Sequence, residues 1–456
     1  MAEQKDVNIS LHGLLFPNIF KLFRIAIQPG RIMTAFFALV IIFLAGWVMD
    51  LHKTVVVSGA LSADDLRTST LGGSLTWPTE LHCFITNHER MENYIKTYKE
   101  RTKSQRLGVF KVFSNFCVAN FNEGVIYLLN LKFDKVIAAV GNCFLACVWA
   151  LKYHTIYGIV FLSISFVVLS LSGGAICRGA AMHFSTDERL GMNSCTGFAL
   201  KKFMPILFAP TAPLILVALL GFVIIYVLGL ITNVPYAGEL VMAIFFILVL
   251  VAGGLMAFTT IWAAASVNLM LGAVAYENTD TFDVICRAYN YVYSRPWRLG
   301  LYTLLAAFYG GICYLFVRFF AFVMLGMSRW FLQLGVFTQS GKAEQLDKLT
   351  AIWPKPEYFN FLGNEADISK PVTETIASAV VHFEILIIAG LVMAFAVSFY
   401  FSAGTVIYCL LRNKVDNTPL DTVFIESQAA SDVITNDQDT DSKSPEMEQT
   451  QSPEQS

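Results

Sequence analysis

Charge is scarce in this chain. Only 14% of its residues are Asp, Glu, Lys or Arg, against roughly a quarter in soluble domains. Hydrophobic residues make up 55% and the mean hydropathy is +0.58, more apolar surface than a water-soluble fold can hide. The formal net charge of -2 averages a basic membrane-facing set against an acidic C-terminal tail, which removes nucleic acid as an expected partner. Metal and catalytic patterns are missing as well. The nine cysteines contain no CxxC pair: Cys143 and Cys147 lie one helical turn apart, and Cys177, Cys195, Cys286, Cys313 and Cys409 sit in or beside apolar segments. No structural metal cluster is expected. There is no GxSxG or GxGxxG. His382 and Glu384 lack the second histidine of a metal-binding helix, and Gly335 to Lys342 has the wrong spacing for a phosphate loop. No nucleophile, base and orienting group assemble, so no enzyme and no cofactor are expected.

Long apolar runs are what the chain does have. A helix rises about 1.5 Å per residue, so about twenty apolar residues cross a hydrocarbon core of roughly 30 Å. Ile32 to Met49, Ile156 to Ile176, Leu214 to Ile231, Leu240 to Leu271, Leu299 to Val317 and Ile376 to Leu411 qualify, and no charged residue lies between Glu239 and Glu277. The first run follows Lys21, Arg24 and Arg31 and is long enough to remain as an anchor. Val136 to Leu151 is shorter, holds Gly141 and Asn142, and is bracketed by Lys135 and Lys152. It reads as an interfacial or re-entrant helix, with a short span as the alternative.

Lys and Arg clusters favour the cytoplasmic side. Six spans place the N-terminal cations, the Arg178 to Lys202 loop, the Arg287 to Arg298 loop, and Arg412 with Lys414 all on that side. Seven would set the N-terminus against the other three. The expected fold is therefore an all-α polytopic transmembrane bundle of six spans, with seven as the alternative, and both termini cytoplasmic. Its parts are an N-terminal segment (1–31), a span (32–49) and an extracytoplasmic helical domain (50–155) that includes the interfacial helix (136–151). A transmembrane core with two hinges (156–336), an outer loop (337–375), a last span (376–411) and a disordered acidic tail (412–456) follow. In the outer domain, Asn87 to Lys103 and Leu107 to Phe121 carry helical apolar spacing. Cys83 and Cys117 share that compartment, where they could form a disulfide or stay as two thiols.

The two hinges are similar. Each has a descending helix, an acidic turn (Asp187-Glu188, then Glu277 to Asp283), and an amphipathic stretch. A proline near the start of a rising helix closes each, at Pro205 and Pro296. In the second, Phe282, Ile285, Tyr289, Val292 and Tyr293 share one face. A parallel internal repeat offset by roughly ninety residues is one reading; the shared demands of interfacial elbows are the other. The segment Gly173-Gly-Ala-Ile-Cys-Arg-Gly-Ala-Ala181, with Asp187-Glu-Arg189, Phe198-Ala-Leu-Lys-Lys-Phe203 and Ala209-Pro210, resembles an uncharacterised family of bacterial multipass membrane proteins. Phe282 to Trp297 is similar to the membrane domain attached to some glycerophosphodiester phosphodiesterases. The resemblance covers about the middle third of the chain and implies a bacterial inner-membrane location. It carries no activity, because a phosphodiesterase barrel needs about 250 further residues.

Three groups of residues stand out. Arg318 and Glu384 fall near the outer ends of their spans and could pair, or each could reach a headgroup layer alone. Arg178, Arg189, Lys201, Lys202, Arg287, Arg295 and Arg298 form a basic belt. The belt either sets topology or recognises anionic lipid headgroups. The expected partners are membrane lipids and other membrane or envelope proteins. Two roles stay open: a structural or interaction protein, and a transporter or lipid-handling protein with a site between the two similar units. The spans carry few polar groups near their middles, Asn268 and Thr259-Thr260 being the exceptions, which favours the first.

Overall fold

The computed structural model describes residues 15–52, 55–56, 79–86, 106–234, 237–336, 347–363 and 371–425. The helix expected over Asn87 to Lys103 and the tail beyond Glu426 lie outside them. The chain is an all-α polytopic helical bundle. A 3-10 turn (Phe16–Lys21) runs into α1 (Leu22–Ala26), followed by α2 (Pro29–Met49), α3 (Glu80–Thr86), α4 (Val109–Leu129), α5 (Phe133–Tyr153) and α6 (Thr155–Ser185). After these come α7 (Met192–Lys201), α8 (Phe203–Thr232, with a π turn at Gly221–Tyr226), α9 (Ala237–Glu277), α10 (Thr281–Ser294), α11 (Pro296–Gly335), α12 (Lys348–Ile352) and α13 (Val372–Val415). The small two-stranded ladder pairs Val55–Val56 with Arg106–Leu107.

Seven helices are long and apolar enough to cross a membrane: α2, α5, α6, α8, α9, α11 and α13. The seventh is α5. Its 21 residues extend beyond the Val136 to Leu151 run by taking in Phe133 and Tyr153. At about 1.5 Å per residue, α9, α11 and α13 are each about 60 Å long, twice the hydrocarbon thickness. Their surplus length gathers at one end, called here the basic end. There α6 is buried without interruption from Ser172 to His183, α9 from Leu269 to Tyr276 and α13 from Ser402 to Arg412. A helix buried on every face belongs to a core rather than a surface.

Glycine makes this crossing close. A β-carbon on Gly404 would stand 2.5 Å from the Asn268 carbonyl oxygen, and one on Gly272 would stand 3.2 Å from the Thr405 Cα. Neither main chain can yield, so α9 and α13 touch backbone to backbone. All three helices then stop in the same way, with Asp187, Asn278 and Asn417 in the left-handed conformation (φ 57°, 53° and 54°). Asx residues adopt that conformation at lower cost than other L-residues.

Away from this end the helices separate. In the most apolar stretch of α6, 39% of residues are buried, whereas in α8 and α9 the figure is 6%. From about residue 214 to 262 these two helices pack mainly on each other, with Phe222 and Tyr226 stacked on one and Phe258 and Trp262 on the other.

The pair α4 and α5 forms a hairpin. Asp50, which ends α2, accepts hydrogen bonds from the Phe110 and Lys111 amides, both at 2.9 Å, and so caps α4 with a charge suited to a helix N-terminus. A β-carbon on Gly108 would meet the Asp50 carboxylate at 2.1 Å, so glycine is required there. At the turn, Leu131 takes φ 58° and the Lys132 amide reaches back to the Tyr127 carbonyl at 2.9 Å, a Schellman closure. Asn142 donates to Asn120 across the hairpin at 3.2 Å.

Candidate functional site

Two polar clusters lie inside this architecture, one at the basic end and one deeper in the bundle, where residues 347–363 pack. The basic-end cluster centres on Glu277, the last residue of α9. Arg412 Nε lies 3.1 Å from its carboxylate and Arg287 Nη1 at 3.5 Å, and the Tyr408 hydroxyl donates to it at 3.3 Å. Arg287 also pairs with Asp283 at 2.9 Å. Partial burial works against the Arg287 charge, but Asp283 and Glu277 outweigh it and raise the guanidinium above its ordinary pKa.

Around this carboxylate a strap of chain, residues 416–425, is tied down. Asn413 Nδ2 donates to the Thr418 carbonyl at 2.9 Å, Arg412 Nη1 to Thr422 at 3.0 Å and Arg178 Nη2 to Phe424 at 2.7 Å. The Phe424 amide returns a bond to the Tyr276 carbonyl at 3.0 Å. Arg178 Nη1 meanwhile takes the Ala275 carbonyl at 2.8 Å, one of the acceptors a helix end leaves open. Its guanidinium also lies 4.7 Å from the Phe198 ring. Tyr291 donates to Asp416; burial, then that carboxylate, pushes the phenol above its usual range.

The basic belt is therefore divided. Arg178 is 7% exposed and holds protein carbonyls rather than facing a headgroup layer, because it falls inside the buried run of α6. Lys202 donates to the Asn278 carbonyl at 2.8 Å, and Arg287 belongs to the Glu277 cluster. Arg189, Lys201 and Arg295 are exposed and Arg298 is half-buried. Arg31, from the N-terminal cations, is buried with Nη2 2.8 Å from His183 Nδ1.

The deeper cluster contains Arg318 on α11, 5% exposed. Glu384 is exposed on α13 and the two do not meet. Neutral oxygens hold the guanidinium instead: the Tyr358 carbonyl at 2.8 Å, Asn122 Oδ1 of α4 at 3.1 Å and the Tyr314 hydroxyl at 2.6 Å. The Phe359 and Phe361 rings lie 5.1 and 5.0 Å away, within cation–π range. Arg329, three turns further along α11, donates to the Trp353 carbonyl and, at 3.1 Å, to the Thr350 hydroxyl. Both arginines thus fasten residues 347–363 against α11, satisfying irregular backbone that must find partners if it lies at membrane depth.

All nine cysteines are free thiols. Cys83 and Cys117 both pack in the apolar cluster where α3, α4 and α5 meet, and no disulfide joins them. Among the described residues no group of three or more His, Cys, Asp or Glu side chains could hold a metal ion. An open groove of about 510 Å³ runs along the outer surface between α6 and α8, lined by Ser163, Phe166, Leu207, Phe208, Thr211 and Leu214. The lining is almost wholly apolar.

Glu277, Tyr408 and Asn122 were not among the sequence candidates. Glu277 did carry a signal, as the charge that ends the longest uncharged run. Asn122 carried none, since its role depends on a helix 196 positions later. No family model, curated protein or solved structure matches the chain.

Proposed function

We propose that this chain is a structural or interaction protein of the bacterial inner membrane, with both termini cytoplasmic, and not an enzyme. In this reading the bundle is an anchor. The outer segment that follows α2 and the acidic tail (426–456) meet other membrane or envelope proteins on opposite faces, while lipids surround the spans and no nucleic acid takes part.

The observation that carries the reading is the strap. Arg178, Arg412, Asn413 and the Tyr276 carbonyl fix residues 416–425 to the ends of three helices, so the point from which the tail departs is held rigidly. A fixed root suits a presented segment, because it reduces the freedom that a partner must still remove on binding. The basic groups at the same end support the orientation. The hinge resemblance supports a bacterial membrane setting and adds no chemistry.

The open apolar groove between α6 and α8 supports a second reading, a lipid-handling or transport protein. Purification in native-like membrane, followed by identification of co-isolated proteins and lipids, separates the two. The anchor reading expects protein partners that are lost from an Arg178→Gln, Arg412→Gln variant still inserted in the membrane. A stoichiometric lipid or solute and no protein partner would favour the second reading.

A further inference from the structure

The α4–α5 hairpin has a depth that its composition conceals. Asp50 caps α4 beside the last turn of α2, where a β-carbon on Gly46 would meet the Phe110 ring at 2.4 Å. At its other end, Val125 and Leu129 lie 3.5 and 3.6 Å from the β-carbon position of Gly311. Gly310, next along α11, lies against Phe399. One residue away, Ser398 donates to the Ala26 carbonyl at 2.8 Å, just before Pro29 opens α2. So α4 begins level with the end of α2 and finishes level with its start. Each helix has 21 residues, about 31 Å of rise, enough to cross the hydrocarbon core.

Lys111, Asn115, Asn120, Asn122 and Glu123 dilute the apolarity of α4. Lys111 lies in the first turn beside the Asp50 cap, Asn120 and Asn122 are 9% and 7% exposed with partners on α5 and α11, and Glu123 is within two turns of the tip. Such pairing is how membrane helices tolerate polar groups. An independent line of argument comes from charge. Seven crossings set the N-terminal cations opposite the other basic clusters, whereas an eighth returns them to one side and adds Lys132 and Lys135 of the hairpin tip.

We propose that α4 is an eighth membrane crossing, and that the hairpin tip it delivers to the basic end forms, with Lys21, a seat for anionic phospholipid headgroups. Helix α11 locates the seat. Tyr309 contacts Phe20, next to Lys21, and Gly311 contacts Leu129, close to Lys132. Those two positions are about 200° apart around the helix. Phe308, Ile312 and Phe316, 37%, 48% and 60% exposed, occupy the arc between them and offer a surface for acyl chains. A lipid on that stripe has Lys21 on one flank and Lys132 with Lys135 on the other, all exposed. Asp134 is the opposing charge at the tip. Lys21 lies over the Phe184 ring and Lys135 over the Tyr127 ring, at 5.9 and 5.3 Å, which limits how far each strays.

Two experiments test it on the full-length protein. In sealed vesicles, Leu131→Cys is labelled with a membrane-impermeant maleimide, using exposed Cys286 of α10 as the marker of the basic side and a Cys286→Ser variant to separate the signals. The crossing expects Leu131→Cys to react from the same side as Cys286; reaction from the opposite side alone overturns it. For the seat, the protein is reconstituted in phosphatidylcholine vesicles with and without phosphatidylglycerol, and retained phosphatidylglycerol is counted. Lys21→Gln, Lys132→Gln and Lys135→Gln should each weaken retention about fivefold, and Arg295→Gln, at the start of α11, should leave it unchanged. Unchanged retention in the triple variant, or equal loss with Arg295→Gln, overturns the seat while leaving the crossing to its own test.

Discussion

Glu277 and Gly253 belong to the same helix, α9, about 36 Å apart, yet their surroundings differ in kind. Around Glu277 the helix is enclosed by α6, α10, α13 and the strap, and the carboxylate itself meets Arg412, Arg287 and the Tyr408 hydroxyl. Around Gly253 a β-carbon would find nothing within 4 Å, and the helix leans mainly on α8. The contrast reflects two solvents. At membrane depth an exposed leucine costs nothing, so a two-helix rod needs no further cover. Beyond the hydrocarbon the same helices meet water, and the chain hides them by closing three helix ends, two amphipathic helices and a strap into one core.

The comparison breaks first, and by the largest amount, at Arg412. Arg412→Met takes the nearer of two cations from the largely buried Glu277 carboxylate and leaves the Thr422 carbonyl without its donor, and should cost about 4 kcal/mol. Denaturant unfolding of the reconstituted protein reads this directly, and a loss below about 1 kcal/mol would mean the cluster is no stronger than a surface ion pair. Next is Gly404→Ala, which sets a methyl group against the Asn268 carbonyl and should cost about 3 kcal/mol. Its counterpart Gly253→Ala should be neutral or stabilise by up to about 1 kcal/mol. Equal effects at the two glycines would erase the distinction between the ends. A smaller loss, about 2 kcal/mol, is expected for Asn122→Leu, which takes the acceptor from both Tyr314 and Arg318. If that variant unfolds like the wild type, α4 is not fastened to α11 through this network.

Much of the architecture was legible beforehand. The six apolar runs are helices, and the two hinge stretches are α7 and α10. Only part of the apolar face read on α10 is covered: Ile285 and Tyr289 pack against the core and Val292 is buried, while Phe282 and Tyr293 are 79% and 72% exposed. What could not be read depends on partners distant in sequence. Arg178 follows an apolar run, and such a cation looks the same in one dimension whether it meets a phosphate or a carbonyl 246 positions away. Arg318 likewise suggested Glu384 by proximity of span ends, whereas its partners come from α4 and residues 347–363. Helix α4 does not stand out in an apolar count because Lys111, Asn115, Asn120, Asn122 and Glu123 interrupt it, and the α5 and α11 partners of Asn120 and Asn122 are distant in sequence. The knot at the basic end left no periodic trace, since a helix buried on all faces has no polar stripe.

The strap holds the root of the acidic tail against the end of the bundle. Hydrogen exchange of the full-length protein in lipid nanodiscs, followed at the Phe424 amide, tests it most directly. Protection comparable to that of the α10 amides is expected in the wild type, with selective loss of that protection in Arg178→Gln while α10 stays protected. Exchange of Phe424 at the rate of an unstructured chain in the wild type would contradict it.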